Sequence, residues 1–182
     1  TLVNSDYTNF VSYLKNCYLL FNSDYSENCL YGVEMENSKD CYNNLALDGC
    51  ELAAHSINCQ KSQRIFYSVD CEACQNVWFS KNLSGCTDCF GCVNLRNKQH
   101  CIFNVQYSKE EFDEKMKNFR TGSFSEVQSF MKEAKNLWAT HPVKFMHGRS
   151  NTNVTGDYVY HSKDVRDTYI ATESQNCRYC MW

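Results

Sequence analysis

Cys71-Glu-Ala-Cys74-Gln-Asn-Val-Trp-Phe-Ser-Lys-Asn-Leu-Ser-Gly-Cys86-Thr-Asp-Cys89-Phe-Gly-Cys92 is the stretch on which the reading of this chain turns. Its five cysteines are all separated by multiples of three, and the eleven cysteines from Cys17 to Cys101 keep the same phase. Working outward, Cys29, Cys50, Cys71 and Cys92 are spaced by 21 residues, and Cys17, Cys59 and Cys101 form a second such series with Ser38 and Ser80 at the intermediate steps. Self-similarity at a fixed period marks a repeat architecture. The expected fold is therefore an all-β parallel β-solenoid over residues 1–107, with about 21 residues per coil and about five coils.

Within a 21-residue coil the every-third positions are mostly small or apolar, as in the columns Val11, Gly32, Ala53, Cys74, Leu95 and Leu14, Met35, Ser56, Val77, Lys98. These are the expected inward-facing set. The position before the first cysteine column reads Asn28, Gly49, Asp70, Gly91, residue types that accept a left-handed backbone at low cost, so a corner is expected there. Asn16, Asn37 and Asn58 form another polar column, a second corner or an amide ladder. Cysteine is a small residue of low polarity that fits a narrow interior. Phe21, Tyr42, Phe66, Tyr67, Trp78 and Phe79 fall outside the inward phase, which places them on outer faces or beneath a later insertion.

After Cys101 the period becomes helical. Ser108-Lys-Glu-Glu111 is a capping box, followed by Phe112, Met116 and Phe119 along one side of a short helix. Beyond Gly122 the apolar stripe Phe124, Val127, Phe130, Met131, Ala134, Leu137, Trp138 predicts a second helix ending before His141 and Pro142. The expectation is an inserted helical hairpin over residues 108–140. Residues 163–180 then align without gaps to 15–32, pairing Lys163 with Lys15, Asn176 with Asn28, Cys177 with Cys29 and Tyr179 with Tyr31. Residues 141–182 are thus a loop and a resumed, incomplete solenoid coil.

Composition narrows the function classes. The 182 residues carry 14% aromatics and a formal charge of −3, which argues against disorder. No Lys/Arg cluster supplies the footprint of a nucleic-acid binder. No run of eighteen apolar residues and no leader of the signal-peptide plan is present, so no membrane association is expected. The chain reads as a soluble segment of a longer protein, and thirteen cysteines, an odd number, favour the cytoplasm.

Cys71-x-x-Cys74 and Cys86-x-x-Cys89, with Cys92 three residues on, have the spacing of a structural zinc site, so Cys71, Cys74, Cys86, Cys89 and Cys92 are the candidate metal ligands. The repeat accounts for the same five residues as stacked core cysteines with no cofactor, and that reading is preferred. Stacked thiols also lie within disulfide range, while a reducing compartment keeps them as thiols. Cys177-x-x-Cys180 repeats the ambiguity and lacks the βαβ context of a thioredoxin-like pair. His55, His100, His141, His147 and His161 form no H-E-x-x-H or related metal motif. There is no G-x-S-x-G, phosphate loop or dinucleotide fingerprint, and no catalytic residue is assigned. The scattered carboxylates give no support to a glycosidase pair. Asn82-Leu-Ser84 and Asn153-Val-Thr155 fit the glycosylation sequon, too short a signal to use.

The segment from Cys86-Thr-Asp-Cys-Phe-Gly-Cys92 through Glu-Glu-Phe112, together with Lys15-Asn-Cys-Tyr-Leu-Leu-Phe21, resembles a family of uncharacterised Cys-rich repeat proteins from uncultured, small-genome bacteria. The resemblance covers most of residues 9–118 and the returning segment. It implies a bacterial origin and an upstream zinc-ribbon-like segment, which this chain does not contain. An acyl-CoA transferase label borne by some members has no matching residues here. Three functions are weighed: a non-enzymatic solenoid scaffold or binding module presenting flat faces to a protein or glycan; a protein binding zinc or another soft metal; and a β-helix carbohydrate-active enzyme. Self-association through a solenoid edge or the helical hairpin is a further expectation.

Overall fold

The computed structural model describes residues 2–36, 45–48, 51–119 and 122–180. They fall into two compact units, Thr1–His141 and Pro142–Trp182. The first unit is built on triplets. Every third residue from Asn4 to Tyr31, and again from His55 to His100, has a left-handed backbone, with φ from 48° at Asn4 to 67° at Gly91. That conformation costs about 1–2 kcal/mol for most side chains and least for Gly, Asn and Asp. Asn4, Asn16, Asn22, Asn28, Asn58, Asp70, Asn76, Asn82, Asp88, Asn94 and Asn97 stand at such positions.

Through most of this stretch the residue following a left-handed one turns inward. From Ser56 to Cys92 every such residue is buried: serines at 56, 62, 68 and 80 alternate with Cys59, Ile65, Cys71, Cys74, Val77, Leu83, Cys86, Cys89 and Cys92. Leu14, Cys17, Leu20, Ser23, Ser26 and Cys29 do the same in the first stretch. The small polar members have a reason to be there. Ser80 Oγ accepts from the backbone N–H of Cys92 at 2.9 Å and donates to the carbonyl of Trp78 at 2.8 Å. Ser62 and Ser68 serve Cys74 and Ser80 in the same way, at 3.0 and 3.1 Å. The Sγ of Cys74 accepts from Cys86 N–H at 3.5 Å, and that of Cys92 from Asn104 N–H at 3.4 Å. These inward N–H groups meet no carbonyl in the ladder, and a buried donor needs a partner, so Ser or Cys recurs at this place.

The strands pair in parallel with an offset of twelve residues, four triplets, between neighbours. β1 (Leu2–Val3) pairs with β3 (Leu14–Lys15), and β2 (Asn9–Ser12), β4 (Tyr18–Asp24), β5 (Leu30–Glu36) and β6 (Leu45–Asp48) form a second sheet. β7 (Glu51–Ala54), β8 (Gln63–Phe66), β10 (Gln75–Trp78), β12 (Thr87–Phe90), β13 (Gln99–Ile102) and β14 (Val105–Gln106) form the largest, while β9 (Val69–Glu72) pairs with β11 (Lys81–Ser84). β14 runs antiparallel to β13, so the largest sheet is mixed.

This corrects the expected fold. The described strands lie in several separate small sheets and not in one parallel solenoid. Residues 21 apart do not lie over one another: Cys29, Cys71 and Cys92 occupy three different positions of the twelve-residue pass, because 21 and 12 differ by nine, three further triplets. Both spacings are multiples of three, which is why the inward phase is right while the period is not. The amide ladder likewise runs at twelve, with Asn4 Nδ2 donating to Asn16 and Asn16 Nδ2 to Asn28, each at 3.0 Å. Lys98, read as inward, is exposed, with its Nζ donating to Gln106 Oε1 at 3.4 Å. Asn37, Ser38, Tyr42, Gly49 and Cys50, and the side chains of Met35 and Ala53, lie outside the described residues.

α1 (Lys109–Met116) begins at Ser108 with both bonds of the capping box, and α2 (Phe124–Ala139) follows. They are not the expected hairpin, since the two helices do not pack along one another. Each turns its apolar side to the aromatic rows of the largest sheet. Phe112, Val127, Ala134, Phe130 and Trp138 close over Phe79, Phe90 and Ile102. None of the described helices is long and apolar enough to cross a membrane.

The second unit holds β15 (Gly148–Arg149), β16 (Thr152–Tyr160) and β17 (Lys163–Thr172) in one parallel sheet. Its inward residues Val159, Ser162, Val165, Thr168 and Ala171 again come every third. The β16–β17 offset changes from eleven to twelve between Val154 and Gly156. Gly156, at φ 131°, allows that change: a Cβ there would lie 1.9 Å from the Thr168 carbonyl oxygen.

Candidate functional site

Two features stand out: rows of exposed aromatic side chains on the first three passes and a thiol-rich interior. Tyr7, Phe10, Tyr13 and Tyr25 are 55–86% exposed, and Tyr18, Phe21 and Tyr31 are exposed beside them. The triplet rule explains this. Tyr7, Phe10, Tyr13, Tyr25 and Tyr31 sit at left-handed positions, whose side chains leave the interior to the following residue. The twelve-residue register then stacks them. Tyr13 lies on Tyr25 with ring centroids 4.9 Å apart and planes within 3°, and Tyr18 bridges Tyr7 and Tyr31 edge to face at 5.3 and 5.9 Å. Leu2, Val3 and Leu30 add exposed aliphatic surface.

The aromatic rows further along have a different fate. Phe66 stacks on Trp78 at 4.1 Å, and Tyr67 on Phe79 at 5.2 Å. There the helices cover the sheet, and Phe79 and Phe90 are fully buried. Of the aromatics read from the sequence as outer, Phe21 is therefore exposed, Phe79 is covered, and Phe66, Tyr67 and Trp78 are partly covered.

Cys71, Cys74, Cys86, Cys89 and Cys92 are all buried in one core cluster with Cys59 and Cys101. Each thiol donates to the carbonyl two residues before it, at 3.7, 3.2, 3.5, 3.5 and 3.4 Å respectively. Hydrogen bonding to Cys59 and then Cys74, with burial, pushes the Cys71 thiol well above its ordinary value. Cys89 is raised for the same reasons by Cys86, Cys92 and burial. Cys86, which receives bonds from the thiols of Cys74 and Cys89, is lowered. Among the described residues no three or more His, Cys, Asp or Glu side chains converge as a metal site requires. The candidate zinc ligands are thus brought into one interior. Cys177 and Cys180 are half-buried, and Cys177 is raised chiefly by its hydrogen bond with Cys180.

The histidines serve local pairs. His100 Nε2 lies 3.5 Å from Asp88, which also accepts from Asn76 Nδ2 at 2.6 Å. His147 Nδ1 is 3.0 Å from Asp157 while its ring stacks on Tyr158 at 4.7 Å. His141 meets Asn104 Nδ2 at 3.3 Å, and His55 stacks on Tyr67. Sequence reasoning placed Phe21 on an outer face and missed Tyr7, Phe10, Tyr13, Tyr18, Tyr25 and Tyr31; the recurrence of Tyr13 and Tyr25, twelve residues apart, is the signal that finds them. Compared with family models and with curated proteins, the chain has no match.

Proposed function

We propose that this chain is a non-enzymatic binding module whose exposed aromatic surface takes a protein partner. The observation that carries this reading is the exposure of Tyr7, Phe10, Tyr13, Tyr25 and Tyr31 within three adjacent passes. Apolar side chains in contact with water are unfavourable, and Tyr and Phe are enriched where proteins meet. The stacking favours a protein over a glycan. Tyr13 and Tyr25 cover one face of each other, and Tyr7, Tyr18 and Tyr31 meet edge to face, so fewer open ring faces are left for a sugar to stack on.

The test compares the wild-type chain with a Phe10→Ser, Tyr13→Ser, Tyr25→Ser variant. These side chains stand outside the core, so the variant keeps its fold, checked by urea unfolding. Immobilised wild-type chain retains a defined protein from lysate of the source cells, and the variant does not. Equal capture by both chains refutes the reading. Mobility shifts of the wild-type chain alone in gels cast with soluble polysaccharides turn it toward a glycan.

A further inference from the structure

Nine of the described cysteines are buried, and eight of them fall into four pairs twelve residues apart: Cys17 with Cys29, Cys59 with Cys71, Cys74 with Cys86, and Cys89 with Cys101. Twelve residues is one pass, so each pair spans two hydrogen-bonded neighbours. Cys89 and Cys101 are direct register partners of β12 and β13. The same register holds at the other three, where Tyr18 N–H donates to Cys29 O at 3.0 Å, Gln60 N–H to Cys71 O at 2.9 Å, and Gln75 N–H to Cys86 O at 2.9 Å. In each pair the proton affinity of one thiol is shifted by the other.

In-register residues of parallel neighbours lie about 4.8 Å apart, within the Cα range of about 4.4–6.8 Å that a disulfide accepts. Both side chains of a pair point to the same interior. Cysteines three apart, such as Cys71 and Cys74, are also neighbours in this interior, but they lie along one pass with a left-handed residue between them and are not register partners. Cys92 is the ninth buried cysteine, and its twelve-residue neighbours are Ser80 and Asn104.

We propose that these four pairs are dithiol–disulfide sites, oxidised by a small disulfide of the glutathione class into bridges that tie each pass to the next. One cysteine thiolate attacks a sulfur of oxidised glutathione, forming a mixed disulfide and releasing one glutathione thiolate, which takes up the proton. The partner thiolate then attacks the cysteine sulfur of the mixed disulfide and releases the second glutathione. Two protein thiols are oxidised to one disulfide, and one glutathione disulfide is reduced to two thiols.

The experiment uses the full chain with Cys41 and Cys50, which lie outside the described residues, replaced by serine. The chain is refolded in a glutathione redox buffer, so that interior thiols can react before burial. Free thiols are then alkylated and the bridges mapped by mass spectrometry. The expected result is bridges joining 17 to 29, 59 to 71, 74 to 86 and 89 to 101, with Cys92 alkylated. A refolded chain in which these eight thiols stay free overturns the proposal, as do bridges at other spacings. Adding Cys101→Ser is expected to leave Cys89 alkylated; its re-pairing with Cys86 or Cys92 counts against the register argument.

Discussion

Replacing Ser80 by alanine tests why this interior is written in serine and cysteine. Ser80 is fully buried; its Oγ accepts from Cys92 N–H at 2.9 Å and donates to the Trp78 carbonyl at 2.8 Å. That carbonyl also receives Gly91 N–H at 2.8 Å, so it keeps a partner when the hydroxyl is removed. The Cys92 N–H does not, and a buried donor left unsatisfied costs about 1–3 kcal/mol. With a urea m-value of about 2 kcal/mol/M, the midpoint followed by tryptophan fluorescence should fall by about 0.5–1.5 M. Ser80→Cys should recover most of this, because Cys74 and Cys92 already accept N–H donors through sulfur at 3.5 and 3.4 Å. A Ser80→Ala midpoint indistinguishable from wild type, or a Ser80→Cys midpoint as low as that of alanine, would refute the reasoning.

Phe79→Ala removes the fully buried ring that Tyr67, Phe90 and Phe130 contact, and is expected to cost about 3–5 kcal/mol; amide exchange should show α2 losing protection first, and unchanged protection there would contradict its docking on this ring. Gly156→Ala sets a Cβ against the Thr168 carbonyl, so amides of β16 and β17 should exchange faster in the variant; a neutral effect would place the change of offset elsewhere. Glu111 has its pKa lowered by accepting first from Ser108 N–H. Because the folded chain holds that proton less tightly than the unfolded chain, the contribution of the cap is present above the unfolded glutamate value. It is lost as pH falls through the lowered folded value. An NMR titration of Glu111 should therefore find a midpoint below 4.5 that rises in Ser108→Ala, and a wild-type midpoint at or above 4.5 would exclude the capping box in solution.

The first stretches of this fold were legible where a local rule acts. The phase of three was readable from cysteines alone, because only residues of that phase follow a left-handed residue and turn inward. Asn28 and Asp70 were readable as corners because a short polar side chain lowers the cost of the left-handed region, and φ of 58° and 56° is found there. The capping box needs only four consecutive residues. The candidate site was less legible: the cysteines of 71–92 share one buried cluster, while of the exposed rings of residues 7–31 only Phe21 was read as outer.

Sequence by itself determined the phase in which side chains turn inward, with Lys98 an exception, where the helices start, and that residues 163–180 repeat the inward order of 15–32. Only the tertiary structure decided the register. Seven triplets and four triplets both return a cysteine to an inward position, and local preference does not distinguish them. Twelve wins through pairings between distant residues: Asn4 with Asn16, Tyr13 on Tyr25, and Cys89 beside Cys101. The same is true of the aromatics, whose rows are alike in sequence. Whether a row meets water or α2 depends on which passes the helices cover, and that is settled by packing between parts of the chain far apart in sequence.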